Sequence, residues 1–263
     1  MPANKVTAMA LILISIIFVG CGTFGKLDSE STLRVGIDPH RNPVIYKING
    51  KYNGFEAEFA KLLASQVHKK LVFVPMNRSK LITALEQGNI DIIMSGMSVT
   101  EMREQRVNFV RPYMIIYQTS LFRRTDMRVY NSPQMILLSN DKIGVEKNST
   151  GEMFAQQSFK ASNINSFSSL DDGAKALIKN KIDILIGDLP LICRLGAVNE
   201  ANGLIYMLSP FAQEYYAWAV AKDNTELLEQ ANILLIDLKK SDKLDKIITT
   251  YFSLYPQLKL QVK

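Results

Sequence analysis

LITALEQGNIDIIMSGMSVTEMR (residues 81–103) and AKALIKNKIDILIGD (residues 174–188) decide the fold of this chain. Within them, ALEQGNIDIIMS and ALIKNKIDILIG match in residue type without a gap. Each has a helix end, a residue suited to a left-handed cap (Gly88, Asn180), then Ile-Asp-Ile and an apolar strand. The chain therefore carries two similar α/β units. In open α/β sheets, ligands bind beyond the carboxyl ends of the strands. The first strand is followed by Ser95-Gly96-Met97-Ser98, small and rich in donors, with Arg103 close behind. The second is followed by Gly187-Asp188, which offers a carboxylate. A zwitterion needs such a pair of complements.

Working outward, residues 33–37 read as a strand. Asn53 opens a helix with Glu56 three residues on, the pattern of a capping box. Phe55, Phe59, Leu62, Leu63 and Val67 give that helix one apolar face. Residues 71–74 form a second strand, and 79–87 a helix with Leu81, Ile82 and Leu85 inward, closed by Gly88. A buried strand follows at 90–94, and Thr100 caps a short helix through Arg106. Residues 114–122 are extended and read as a long connecting strand. A second round has strands at 142–146, 164–167 and 182–186 and helices at 150–159, 170–179 and 189–198. Residues 215–220 are extended again, and amphipathic helices at 225–239 and 243–252 complete the folded part.

Strands alternating with helices imply parallel α/β sheets. Two extended crossings imply two lobes, with the chain passing out and back. The expected division is 1–21 leader, 22–32 tether, 33–120 first part of lobe one, 121–217 lobe two, and 218–263 the return to lobe one.

The leader is a short basic start (1–5) and an apolar run (8–19) too short to be read as a membrane span. It ends in Phe18-Val19-Gly20-Cys21. Small residues before a cysteine resemble the lipobox of bacterial lipoproteins, which makes Cys21 the expected lipidated N-terminus. Phe18 departs from the usual leucine. An ordinary signal peptide or an N-terminal anchor is the alternative. Cys193 is the only other cysteine, so there is no disulfide framework, and its apolar segment (189–195) marks it as a core residue. The net charge of +6 is spread along the chain without basic blocks interleaved with aromatics, which argues against nucleic acid. His40 and His68 stand alone, so neither a metal nor a cofactor is expected.

Leu33-Arg34-Val35-Gly36, the Gly54-Phe55-Glu56 helix opening, Asp91, Gly96-Met97-Ser98-Val99-Thr100, Arg103, and Phe109 with Pro112-Tyr113 resemble the bacterial extracellular solute-binding proteins, family 3, which serve polar amino-acid ABC transporters. IGVEKNSTGE (143–152) and IDILIGDL (182–189) resemble that family's second-lobe signatures. The resemblance runs from Leu33 to the C-terminus. It implies a two-lobed periplasmic-binding-protein type II fold with a cleft between the lobes and two crossing hinge strands. It also implies a monomeric protein, tethered at the extracytoplasmic face of the membrane, that delivers a small polar amino acid to an ABC permease.

By the same resemblance, Arg103 would pair with the ligand α-carboxylate in two-pronged fashion. Ser95 and Gly96 would supply backbone contacts, and Ser98 a backbone N–H and a hydroxyl. Ser149 and Thr150 would open a helix whose N-terminus completes an anion cradle. Asp188 would accept from the α-ammonium. Arg41 and Arg78 stand where many members place aromatics around the ligand side chain. If both point inward they favour an acidic or neutral polar ligand over a basic one, unless Asp38 and Glu56 neutralise them; otherwise they lie at the solvent rim.

Bland readings stand beside these. Arg103 could be a solvated helix residue, Asp188 the N-cap of the helix from Leu189, and Thr150 an N-cap only. Asp91 and Asp183 occupy equivalent places in the two repeats and read as structural. Two other functions remain open. One is an enzyme on this scaffold, such as a cyclohexadienyl dehydratase-like lyase, with Asp188, Glu146 or Asp38 as general acid. The other is a sensor acting through a separate partner.

Overall fold

The computed structural model describes residues 31–260. The expected leader, the expected lipidation site at Cys21 and residues 22–30 lie outside the described residues. The chain opens with β1 (Thr32–Ile37), then a three-stranded antiparallel ribbon of β2 (His40–Arg41), β3 (Ile45–Ile48) and β4 (Lys51–Asn53). It continues through α1 (Phe55–Gln66), β5 (Lys70–Pro75), α2 (Leu81–Glu86), β6 (Ile92–Ile93), α3 (Glu101–Glu104) and β7 (Asn108–Phe109). β8 (Met114–Arg123) enters a second sheet, followed by α4 (Pro133–Leu137), β9 (Ile143–Glu146), α5 (Thr150–Ser158), β10 (Ile164–Phe167), α6 (Leu170–Ile178), β11 (Ile184–Asp188), α7 (Leu189–Val198) and β12 (Leu204–Tyr206). β13 (Ala212–Tyr216) still pairs with β8. β14 (Ala219–Val220) is back in the first sheet, and α8 (Thr225–Lys240), α9 (Lys243–Tyr251) and α10 (Tyr255–Leu260) follow.

The first sheet has the order β5-β1-β6-β14-β7 and the second β10-β9-β11-β8-β12, with β13 alongside β8. β1 pairs in parallel with β5 and β6, and β9 in parallel with β10 and β11, as expected of βαβ units. This is the two-lobed type II architecture. Residues 114–120, assigned from sequence to lobe one, pair throughout with the second sheet. The strand is buried on both faces, so its apolar pattern does not distinguish which sheet it joins.

The internal repeat is realised down to single hydrogen bonds. The Arg34 N–H donates to Asp91 Oδ2 at 2.7 Å, and the Lys142 N–H to Asp183 Oδ2 at 3.1 Å. In return the Asp91 and Asp183 N–H groups donate to the Arg34 and Lys142 carbonyls, each at 2.8 Å. Each aspartate thus locks the start of one strand to the start of the next. Gly88 and Asn180 both take left-handed φ, 67° and 55°.

Helix α1 departs from the capping-box reading. Its N-cap is Gly54, with no side-chain cap bond. The Glu56 side chain is instead fully buried, accepting from the Gly96 N–H at 2.8 Å and from the Tyr113 hydroxyl. Leu62, expected inward, is exposed. At the point of return, Trp218 packs against Phe59 and Tyr113 with ring centroids 5.7 Å apart in each case. The two passages between lobes run side by side, with the Tyr113 N–H donating to the Tyr216 carbonyl at 3.0 Å. They bring Gln118, Glu214 and Tyr216 to the cleft.

Candidate functional site

On the lobe-one side, β6 ends in the loop 94–100. Gly96 has φ 60°, and a Cβ there would stand 3.0 Å from Val44 Cγ1 and 3.1 Å from the Tyr216 ring, so glycine lets the loop lie against the crossing strand. Ser98 bridges to Tyr216. Thr100 is the N-cap of α3, its hydroxyl accepting from the Arg103 N–H at 3.3 Å. That cap turns Arg103 back toward the loop. Its Nη1 donates to the Ser98 carbonyl at 2.8 Å, and its Nη2 reaches the Asn148 carbonyl of lobe two at 3.5 Å. Burial, followed by the charge of Arg78, brings the guanidinium down to about 10, against the pull of Glu214 and Asp188. It stays cationic at neutral pH.

Arg78 is buried, donating to the Ser95 carbonyl at 3.3 Å and the Gly96 carbonyl at 3.2 Å. The Ser95 hydroxyl accepts from the Asp38 N–H at 2.8 Å, and the Gly96 N–H is spent on Glu56. These two residues therefore shape the loop, and the Gly96 donor expected for a ligand is already engaged.

On the lobe-two side, Ser149 is the N-cap of α5. Its hydroxyl accepts from the Glu152 N–H at 3.0 Å and donates to the Glu146 carbonyl at 2.7 Å, so the side chain is consumed by the cap. Thr150 is not the cap. Its hydroxyl donates to Glu214 Oε2 at 2.7 Å, accepts from Gln118 Nε2 at 3.2 Å, and lies 3.5 Å from the Ser98 hydroxyl across the cleft. Asp188 stands at the N-cap position of α7 but makes no cap bond. Its buried carboxylate turns into the cleft, accepting from Gln118 Nε2 at 2.6 Å, from the Tyr216 hydroxyl and from Arg41. Burial alone would raise its pKa. The charges of Arg41 and Arg78, with the Tyr216 and Gln118 hydrogen bonds, outweigh burial and hold it below the ordinary carboxylate value.

Arg41 was placed from sequence either inside the cleft or at its rim, and the structure decides between the two. The side chain reaches from the lobe-one ribbon into the cleft and is 1% exposed, which excludes the solvent-rim alternative. Nη1 donates to Glu146 Oε2 at 2.8 Å, and Nη2 donates to Asp188 and, at 3.3 Å, to the Tyr216 hydroxyl. Burial opposes its charge, but Tyr216, Glu146, Asp188 and Asp38 together keep it above its usual pKa. Glu146 is shifted up, because burial exceeds the help from Arg41 and Arg78. Asp188 and Glu146 are thus shifted in opposite directions while both pair with Arg41. Of the two readings of Arg41 and Arg78, both residues follow the inward one, but each is engaged with the protein. Their Nη atoms are bound to protein oxygens, although both Nε atoms are buried without a protein partner.

Glu214, Gln118 and Tyr216 were not singled out from sequence. The signal was present in β13, where residues 212, 214 and 216 alternate inward against exposed Gln213 and Tyr215. Burial, followed by the charge of Asp188, shifts Glu214 upward.

Glu56 gives the site a pH dependence. Burial raises its carboxyl from 4.5 to about 7, against the Tyr113 and Gly96 hydrogen bonds and the charges of Arg41 and Arg78. A carboxyl that binds its proton more tightly when folded loses stability as pH rises from its unfolded to its folded value. Glu56→Gln cannot ionise. Its stability relative to wild type is expected to increase from pH 5 to pH 8 by up to a few kcal/mol, at about 1.4 kcal/mol per tenfold change in proton affinity. Urea unfolding at the two pH values checks this, and a difference that stays constant contradicts it.

The chain is similar to known proteins in both sequence and fold. The sequence model of the bacterial extracellular solute-binding proteins, family 3, matches residues 33–254. The probable histidine-binding protein of Neisseria gonorrhoeae is 27% identical over 271 residues, covering 96% of this chain and 97% of the relative. An ancestral arginine-binding protein, solved bound to glutamine and bound to arginine, is 30% identical with a TM-score of 0.78, over 84% of this chain and 98% of that one. The ancestral amino acid-binding protein AncCDT-1, a precursor of cyclohexadienyl dehydratase, is 30% identical with a TM-score of 0.76, over 85% of this chain and 96% of that one.

Proposed function

The chain belongs to the bacterial extracellular solute-binding proteins, family 3, and from that premise we propose that it holds one amino acid between Arg103 and Asp188 in the interlobe cleft. It is a substrate-binding protein for amino acids that works with an ABC transporter on the extracytoplasmic side. The observation that supports the site is the convergence of groups from both lobes and both crossing strands on one buried, polar centre. Arg103 takes the ligand carboxylate, with the Ser98 and Thr150 hydroxyls beside it. A carboxylate has about four acceptor positions. Asp188 gives three of them to Arg41, Tyr216 and Gln118, and the fourth serves the α-ammonium, with Glu214 as its neighbour. Lobe-one and lobe-two contacts made together favour the closed state when ligand binds.

Of the acidic or neutral polar ligands read from sequence, the pairing of Arg41 inside the protein favours a neutral polar side chain such as glutamine's. Calorimetric titration with glutamine, glutamate, histidine, lysine and arginine tests this. Glutamine is expected to bind most tightly, and no binding by any of them would reject the reading. We read the cleft as a binding site and not a catalytic one, because Glu146 and Asp188, two of the three candidate acids, are engaged with Arg41. Recovery of unchanged amino acid after long incubation is the matching check. The protein acts as a monomer in this reading, anchored by a lipid on Cys21. Cys21→Ser is expected to release it from the membrane fraction with a loss of lipid mass, and unchanged membrane association would reject the anchor.

A further inference from the structure

Resting on the amino-acid site proposed above, the geometry points to Arg41 as a specificity-determining residue, an internal cation that fills the lobe-two carboxylates and closes the pocket to ligands with a cationic side chain. Arg41 is held in place by its own ribbon. The Val44 N–H donates to the Arg41 carbonyl at 2.6 Å, and the Glu56 N–H at the start of α1 donates to the Val44 carbonyl at 3.1 Å. The guanidinium is thus presented from a fixed base. Its two Nη groups reach two different carboxylates, Glu146 and Asp188, both buried. This is the fork geometry that an arginine ligand would otherwise offer to the same oxygens.

Charge makes the consequence directional. With Arg41 in place, the two carboxylates are compensated. A ligand guanidinium or ammonium would have to compete with a tethered one, in a cleft that also holds Arg78 and Arg103. Without Arg41, Glu146 and Asp188 lose the cation that hydrogen-bonds both, keeping only the charge of Arg78 nearby, and a second cation is what such a buried pair beside Glu214 lacks. A neutral polar ligand leaves the network intact.

Two measurements test the assignment. In the first, glutamine and arginine are titrated into wild type, Arg41→Met, Glu146→Gln and the Arg41→Met/Glu146→Gln double variant. Arg41→Met is expected to move the ratio of the two affinities toward arginine by about tenfold or more, and the double variant to bring it at least halfway back. A ratio within about threefold of wild type in Arg41→Met overturns the inference. If Arg41→Met does not fold, Glu146→Gln carries the test, because it keeps Arg41 but removes one of its two carboxylate partners. Glutamate is then expected to gain on glutamine by about fivefold, and no gain overturns it.

The second measurement needs no amino acid. Millimolar methylguanidinium is expected to raise the melting temperature of Arg41→Met but not that of wild type or the double variant. No rise in Arg41→Met overturns the internal-cation role. If methylguanidinium stabilises Arg41→Met while no variant binds an amino acid, the ligand reading fails and the role of Arg41 stands. If amino acids bind but their ratio does not move, the ligand reading stands and the specificity role fails.

Discussion

Arg103→Ala is expected to weaken amino-acid binding by between about thirtyfold and several thousandfold, corresponding to the 2–5 kcal/mol typical of truncating one partner of a desolvated charge pair. Arg103 is half-buried, remains charged at neutral pH, and is aimed by the Thr100 cap rather than by the ligand. The alanine variant therefore loses the carboxylate's counter-ion without disturbing the loop's path. Its own protein contacts are two donations to the Ser98 and Asn148 carbonyls, which the fold can lose cheaply. Arg103→Lys is expected to recover part of the affinity, since it restores charge but not a two-pronged contact. Asp188→Ala should weaken binding strongly as well, though with a stability cost, because Arg41, Tyr216 and Gln118 all lose an acceptor. Calorimetry paired with circular dichroism separates the two effects. Wild-type affinity in both variants would mean that the amino acid is held elsewhere.

The second large effect is on stability. Gly54 sits between the ribbon and α1 with φ 113° and ψ 164°, a conformation essentially restricted to glycine. A Cβ there would lie 2.2 Å from the Val44 carbonyl oxygen and 2.6 Å from its carbon. Both are backbone atoms, so no side-chain rotation relieves the collision. Gly54→Ala is expected to cost at least about 3 kcal/mol from strain and displacement together, and to lower the melting temperature by about 6–12 °C for a domain of this size. The Val44 turn carries Arg41, so the variant should also loosen the Arg41 contacts to lobe two. A loss below about 1 kcal/mol in urea unfolding would show that the ribbon can shift at little cost.

What the sequence determined by itself was local or periodic. The matched helix-end, left-handed residue and Ile-Asp-Ile strand at 88–93 and 180–185 revealed the two α/β units, because cap stereochemistry and side-chain alternation are written within a few residues of each other. The Thr100 cap that aims Arg103 was legible for the same reason, as were the aspartates that lock each repeat. Asp188 was legible as a carboxylate at a strand end with a cap and a cleft position both open, and the structure turns it into the cleft without a cap bond.

Only the tertiary structure decided where the buried charges go. Arg41 meets Glu146 and Asp188, which lie 105 and 147 residues further along the chain. Glu56 leaves a capping pattern for Gly96 and Tyr113, and Glu214 enters from a crossing strand. Periodicity says which way a side chain points. It does not say what stands opposite, and in a low-dielectric cleft it is the opposing partner that decides whether a charge binds ligand, binds protein or gives up its proton.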